Sequence, residues 1–370
     1  MKKIFHISGT TLPGGGPEHI FQLLRKLNQN EWKVIICTSN DGSYWLKFNS
    51  LGAKTYNLSL RILSLKTAFK LFFILRKEKP DLIHTHGKGP GLYGRIISSF
   101  LNIPTVHTYH GFHYEDLSTI TKWLHLLLES FLCLLTDHHI FVSAGEKNRT
   151  RILKFLDEEN STVIHNGVDH EYLRNLPITR DTALKLSGVE NWEKNKILGT
   201  IARLSPEKGI LCLLAAFTKA IKETPDLRLI IIGGYPEEHY DYYLKVKSLI
   251  DNENLTDYVR ILGYRQDTVK ILKCFDFYIS SSLSEGLPIS MLEAFASGIP
   301  TIATEIAGNK DILCDLTFGV LAEPGSPESL YKGIIKMVHL TQNERDFFSR
   351  NGYNRIKTHF SIDEMVFKTD

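Results

Sequence analysis

The chain has 370 residues, 43% hydrophobic and 23% charged, with a formal net charge of +3. That length exceeds one ordinary core and fits two domains, with the composition of a soluble globular protein. No uninterrupted apolar run reaches the roughly 18 residues of a membrane-spanning helix. Five cysteines, Cys37, Cys133, Cys212, Cys274 and Cys314, are odd in number and form no C-x-x-C pair. They read as buried thiols in a reducing compartment, so the expected location is cytoplasmic. The opening MKKIFHISG is a strand-length run rather than a signal peptide. Residues 1–168 carry 20 Lys and Arg against 13 Asp and Glu, and the remainder 24 against 28. The basic first half suggests an anionic partner there.

In chain order, KKIFHIS reads as a strand, followed by a Gly14-Gly15-Gly16 turn and a helix from Pro17 to Asn28 with Pro17 at its first position. Strands at 33–37, 54–58, 81–84, 104–108, 138–142 and 161–164 alternate with helices at 43–51, 65–78 and 89–100. Such alternation predicts a parallel, doubly wound α/β sheet. The segment Val163–Asp169, VIHNGVD, closes the first half, and 170–195 is polar and weakly patterned. A second series follows: strands at 197–202, 227–232, 258–262, 276–280 and 299–303, with helices at 209–222, 238–251 and 267–273. The end, Tyr353–Asp370, reads as a helical tail.

Three stretches carry chemistry. In Ser284–Thr304, SEGLPISMLEAFASGIPTIAT, a helix opens after a Glu-Gly turn, with Gly286 freeing the turn and Pro288 at the first helical position. Free N–H groups and the positive dipole end there suit a phosphate. Glu285 stands at the mouth, and Glu293, about two turns in, can accept hydrogen bonds from a pair of sugar hydroxyls. In ARLSPEKG, residues 202–209, Arg203 and Lys208 follow a strand end and present two cations suited to a leaving diphosphate. His84-x-His86 and His107-x2-His110-x2-His113 have the look of metal ligands, and His84 and His86 share a strand face. Against a metal stand the lack of C-x-x-C, H-E-x-x-H and D-x-D patterns.

Glu285-x7-Glu293 with Gly-Leu-Pro, the Arg203-x4-Lys208 pair, Asn166-Gly167-Val168-Asp169, His110-Gly111 and the Gly-rich loop, in that family's order, resemble retaining glycosyltransferases of family 4. The resemblance implies the GT-B fold: two Rossmann-like domains, 1–168 and 169–354, facing each other across a cleft, with a C-terminal helix of about 355–370 crossing back to the first. It implies a retaining, metal-independent transferase of hexosyl or N-acetylhexosaminyl units that uses a nucleotide diphosphate sugar as substrate and no cofactor. E-G-L-P is closer to relatives that use UDP-sugars. Implied catalytic residues are His110, Arg203, Lys208 and Glu285. Implied donor-binding residues are Gly15, Gly16, Gly263, Tyr264, Arg265, Gly286, Leu287, Pro288, Ile289 and Glu293, with Glu293 on the ribose and Tyr264 or Arg265 at the nucleobase. A simple strand-end turn at Gly263 remains an equal reading.

The implied acceptor is a glycan or polyprenyl-diphosphate-linked chain in capsule, lipopolysaccharide or other surface polysaccharide synthesis, with no nucleic-acid partner. Segment 58–79 mixes basic residues with a large apolar face, and 121–136 adds a run of apolar ones. They read either as core helices with solvated basic faces or as a face for anionic membrane at the inner surface of the plasma membrane. Two other classes share these features: a GT-B epimerase or phosphorylase, and a zinc hydrolase built on His84, His86, His107 and His110.

Overall fold

The computed structural model describes residues 1–27, 30–112, 114 and 118–370, and His113 lies outside them. The chain forms two compact units, Met1–Gly167 with Ile362–Asp370, and Val168–Ser361.

The first unit is a seven-stranded sheet of β1 (Lys2–Ile7), β2 (Trp32–Thr38), β3 (Lys54–Asn57), β4 (Leu82–His86), β5 (Thr105–Tyr109), β6 (His138–Phe141) and β7 (Ser161–Val163), in the order β3-β2-β1-β4-β5-β6-β7. Every pairing is parallel. Parallel strands need crossover helices, which bury both faces and make the strands continuous apolar runs. Phe5, Ile7, Ile35 and Ile83 pack under Leu71, Leu75, Tyr93 and Ile97 on one face, while Ile4 and Ile36 meet Ile20, Leu24 and Phe48 on the other. Each such buried side chain contributes about 1.5–3 kcal/mol.

The second unit repeats the plan with β8 (Lys196–Ile201), β9 (Leu227–Ile232), β10 (Val259–Ile261), β11 (Phe277–Ser280), β12 (Thr301–Thr304) and β13 (Gly319–Ala322), ordered β10-β9-β8-β11-β12-β13 and all parallel. The strand β13 and the helix Pro327–Val338 lie between the last strand read from the sequence and the helical tail, in a stretch where no element was read.

Several boundaries differ from expectation. The first helix spans Gly15–Lys26, so Gly15 and Gly16 are its first residues and Pro17 its third. Pro288 is the N-cap of the helix Ile289–Ala296, not its first residue, because its ψ of 111° is still extended. The tail is two helices, Gln342–His359 and Ile362–Thr369. Phe360, buried and non-helical, ends the first of these, and only the second belongs to the first unit. There Ile362 and Met365 pack on Leu23, Ile140 and Ile164, and Lys26 pairs with Asp363 at 3.0 Å.

The helix Thr119–Cys133 is turned opposite to a core reading. Arg95, on the helix Lys88–Leu101, is fully buried and donates from Nη2 to Glu129 at 2.9 Å and from Nε to the Gly91 carbonyl at 3.0 Å. With Glu129 forced inward, Trp123, Leu124, Leu127 and Phe131 fall on the opposite face and are exposed, Trp123 by 62%. The helix Leu65–Glu78 likewise buries only Leu71, Leu75 and Glu78. We expect Glu129→Ala to destabilise the first unit by about 3–5 kcal/mol, because it strands a buried guanidinium. The midpoint of urea unfolding, followed by tryptophan fluorescence, checks this.

Candidate active site

In the second unit the chain leaves β8 toward β9 and β10, but leaves β11 toward β12 and β13. The carboxyl ends of β8 and β11 are therefore the switch point where ligands sit in doubly wound sheets. The loop after β8 carries Arg203 and Lys208, and the loop after β11 carries Glu285. Lys208 and Glu285 form an ion pair whose side chains are only 15% and 16% exposed. Ser282 donates to the same Glu285 carboxylate at 2.8 Å.

Backbone stitching fixes the two loops against each other. Leu283 N–H donates to the Glu207 carbonyl at 2.8 Å, and Ser281 Oγ to the Lys208 carbonyl at 2.8 Å. Gly209 has φ of +63°, and a Cβ there would stand 2.2 Å from the Ser281 carbonyl oxygen, so neither its backbone nor its surroundings admit a side chain. Gly286, by contrast, is not among the glycines of positive φ. Its carbonyl is instead where the backbone of Gly308 approaches, 2.3 Å from where a Cβ would be. Close approach of chains, not a left-handed turn, is the constraint there.

Arg203 reaches Glu207 at 3.3 Å. Burial pushes the Glu207 carboxyl up, but the Ser205 hydroxyl at 2.6 Å, its own backbone N–H and the charges of Arg203 and Lys208 outweigh it and hold the group below the usual range. Both cations are thus held by carboxylates beside the first turn of Ile289–Ala296, whose leading N–H groups no helical carbonyl can take. Two cations and a helix N-terminus at one strand end can hold a diphosphate. Leu287 and Ile289 are buried behind this turn.

Glu293 is half-buried on the same helix. Burial, with the charges of both Glu285 and Glu293, raises the Tyr278 phenol, which shares a 2.9 Å hydrogen bond with Ser290. Gly263, two residues beyond β10, has φ of +66°, and its carbonyl accepts from Gly233 N–H at 2.9 Å. Tyr264 lies over Gly234 and is 42% exposed. Arg265 is committed to Asp267 at 2.7 and 2.8 Å and to the Leu186 carbonyl at 3.0 Å.

In the first unit the switch point lies between β1 and β4. Gly14, Gly15 and Gly16 have nothing within 4 Å of a Cβ position, so a ligand can approach their backbone closely. Beside them His6, His84, His86, His19 and His110 cluster, with His6 paired to His84 in the strand register. His6 Nδ1 is 3.1 Å from His86 Nε2, and His86 Nδ1 is 3.2 Å from His110 Nε2. Burial, then the charge of His19, lowers His6 to about 3; burial, against a hydrogen bond to Asn166, lowers His19 to about 4. His84, His86 and His110 are pushed well below 6.5, chiefly by burial. All are neutral imidazoles at physiological pH.

The four-histidine set of a zinc hydrolase is not assembled. Strand alternation sends His107 to the opposite face, where it meets Thr85 Oγ1 at 2.7 Å and the Tyr109 ring, while His84 meets Thr108 Oγ1 at 2.7 Å. His6 and His19, which the sequence pattern did not include, join the cluster instead.

Residues 13–172 match the family described as Glycosyltransferase Family 4, and residues 185–355 that described as Glycosyl transferases group 1. The chain is 30% identical over 324 residues to the UDP-Gal:alpha-D-GlcNAc-diphosphoundecaprenol alpha-1,3-galactosyltransferase of Escherichia coli, covering 84% of this chain and 79% of that one. The chain is a family 4 glycosyltransferase. It is also 21% identical to the capsular polysaccharide biosynthesis glycosyltransferase CapM of Staphylococcus aureus, covering 97% and 93% of the two chains. Among solved structures, Anabaena Alr3699/HepE in complex with UDP superposes with a TM-score of 0.83 at 20% identity over 100% of this chain and 98% of that one. Sucrose-phosphate synthase of Thermosynechococcus elongatus gives 0.83 at 20% identity, over 100% and 97%. Both sheets thus belong to the GT-B fold.

A further residue of this glycosyltransferase, besides His6 and His19, escaped the sequence pattern. Glu146, buried on the helix Ala144–Thr150, accepts from Gly111 N–H at 2.5 Å and so holds the His110-Gly111 loop. A Glu within VSAGEK carries no signal for that role. Burial raises its carboxyl to about 8, against backbone donors from Gly111, Val142 and Phe112 and the charge of Arg149. A raised carboxyl gives stability that is full below its unfolded value near 4.5 and is lost as pH rises through about 8. Replacing Glu146 with Gln should therefore flatten the decline of melting temperature across that window, measured by thermal unfolding at stepped pH.

Proposed function

We propose that this glycosyltransferase moves a hexosyl or N-acetylhexosaminyl unit, with retention, from a UDP-sugar to a lipid-linked glycan acceptor in surface polysaccharide synthesis. The observation that carries the reading is the placement of Arg203 and Lys208 with Glu285 and the Ile289–Ala296 N-terminus at the β8/β11 switch point. The UDP donor rests on the Escherichia coli relative and on HepE, whose names carry UDP-Gal and UDP. The lipid-linked acceptor rests on the diphosphoundecaprenol in the same relative's name.

In this mechanism the bond from the anomeric carbon to the β-phosphate oxygen breaks and its electron pair stays on that oxygen. Arg203, Lys208 and the helix N-terminus meet the growing negative charge without a metal ion. The acceptor hydroxyl forms the new bond on the same face and gives its proton to the departing phosphate, so no protein nucleophile is required. Glu285 orients the donor sugar, Glu293 the ribose of the nucleotide, and Tyr264 the base.

Each cation meets charge that exists only late in the reaction, so Lys208→Ala and Arg203→Ala should each lower kcat by about two orders of magnitude or more. Rates with UDP-sugar and a polyprenyl-diphosphate glycan measure this, and near-wild-type turnover in both variants would remove the assignment.

The same reading places the enzyme peripherally on the inner face of the plasma membrane. No described helix is long and apolar enough to cross a membrane. Exposed Leu65, Phe69 and Phe73 stand on one helix with Lys66, Lys70, Arg76 and Lys77, and exposed Trp123, Leu124 and Phe131 on another. Apolar side chains flanked by lysines suit an anionic bilayer surface. Co-sedimentation with phosphatidylglycerol vesicles at low salt should exceed that with phosphatidylcholine vesicles and fall in a Phe69→Glu, Trp123→Glu variant. Absence from both vesicle types at low salt would count against it.

A further inference from the structure

The histidine cluster contains more unmet nitrogen than a hydrogen-bonded core requires. Each neutral imidazole has one donor and one acceptor. His19 Nδ1 lies 2.9 Å from Asn166 Oδ1, an acceptor, so Nδ1 carries the hydrogen and Nε2 the lone pair. That Nε2 is buried and has no hydrogen-bond partner among the described residues. His86 places Nε2 beside His6 Nδ1 and Nδ1 beside His110 Nε2. With His86 Nε2–H donating to His6, the lone pair of His86 Nδ1 faces His110.

We propose that His19, His86 and His110 form a binding site for a divalent transition-metal ion of the zinc class. Metal–imidazole bonds of 2.0–2.1 Å in tetrahedral geometry separate two ligand nitrogens by about 3.3 Å. The His86–His110 separation of 3.2 Å already meets this. One nitrogen from each of the three residues lies within 4.8 Å of the others. Asn166 and His6 then supply the outer hydrogen bonds that fix ring orientation and tautomer. His110 is half-buried, the one of the three that solvent reaches, which leaves the fourth position to water, and an all-imidazole set suits zinc, copper or nickel rather than magnesium or calcium. The alternative trio of His6, His84 and His86 is fully buried, and His84 Nε2 is already engaged by Thr108.

The site lies wholly within the first unit and is tested without donor or acceptor, so its failure and that of the transferase reading are separable. Untagged full-length protein, stripped with chelator and desalted, is titrated with Co²⁺ and then Zn²⁺. One equivalent of Co²⁺ should give visible bands of tetrahedral intensity that one equivalent of Zn²⁺ bleaches. His110→Gln, at a half-buried position, should weaken Co²⁺ binding at least 10-fold, and Asn166→Ala about 10-fold as the loss of an outer hydrogen bond. His138→Gln, on a partly exposed ring that bonds Thr162 on β7, should leave it unchanged. No saturable binding by the wild-type protein, or equal affinity in wild type and a folded His110→Gln, would overturn the proposal.

Discussion

Parallel strands can be joined only by crossovers, and where the direction of crossover reverses two neighbouring carboxyl ends are left uncovered. That constraint acts once in each unit, at β1/β4 and at β8/β11. It decides which residues can be functional before any side chain is considered. Alternation along the strand then decides which of those face the opening. His84 and His86 do, and Thr85 between them turns to His107 on the other face. The loop after β8 and the loop after β11 meet for the same topological reason, and Gly209 and Gly308 are small because backbone from the neighbouring loop occupies the place of a side chain.

Much of this is legible in the sequence because the signals are local. The helix Leu65–Glu78 was read to the residue, since Ser64 caps it and its apolar spacing is regular. The alternation of strands and helices carries both sheets up to Thr304. Arg203, Lys208 and Glu285 sit beside strand ends that the apolar runs mark, so their meeting follows from the βα pattern. What stayed hidden depends on distant partners. His6 and His19 enter the cluster from separate elements, one at a strand end and one on the following helix, and neither belongs to a spaced motif. Glu146 reaches Gly111 across 35 residues of sequence. The two-helix tail was missed because Phe360 ends its helix by burial, a tertiary effect.

The helix Thr119–Cys133 shows how one buried charge can override an apolar pattern. Its leucine stripe argues for a core position. A fully buried Arg95 cannot be left without a counter-charge, so Glu129 is drawn inward and the stripe turns to the surface. The apolar face on the outside is therefore a consequence of the ion pair on the inside. The sequence held both readings open because the pairing partner lies 34 residues away on another helix.

The two units treat charge in opposite ways. At β1/β4 the imidazoles are buried and uncharged, so they can serve as lone-pair donors to a ligand or hydrogen-bond acceptors to one another. At β8/β11 Lys208 keeps its partner Glu285 in a partly wet setting. For a pair this little exposed, the lost hydration of both charges offsets most of their attraction. It adds little to folding, but it keeps the ammonium at the strand end instead of free in solution. In the proposed transfer an arriving diphosphate would exchange one anionic partner for another, and the cation would need neither to move nor to be desolvated again. The carboxylate that restrains Lys208 would then be released to accept hydrogen bonds from the sugar, so one weak pair would prepare both groups.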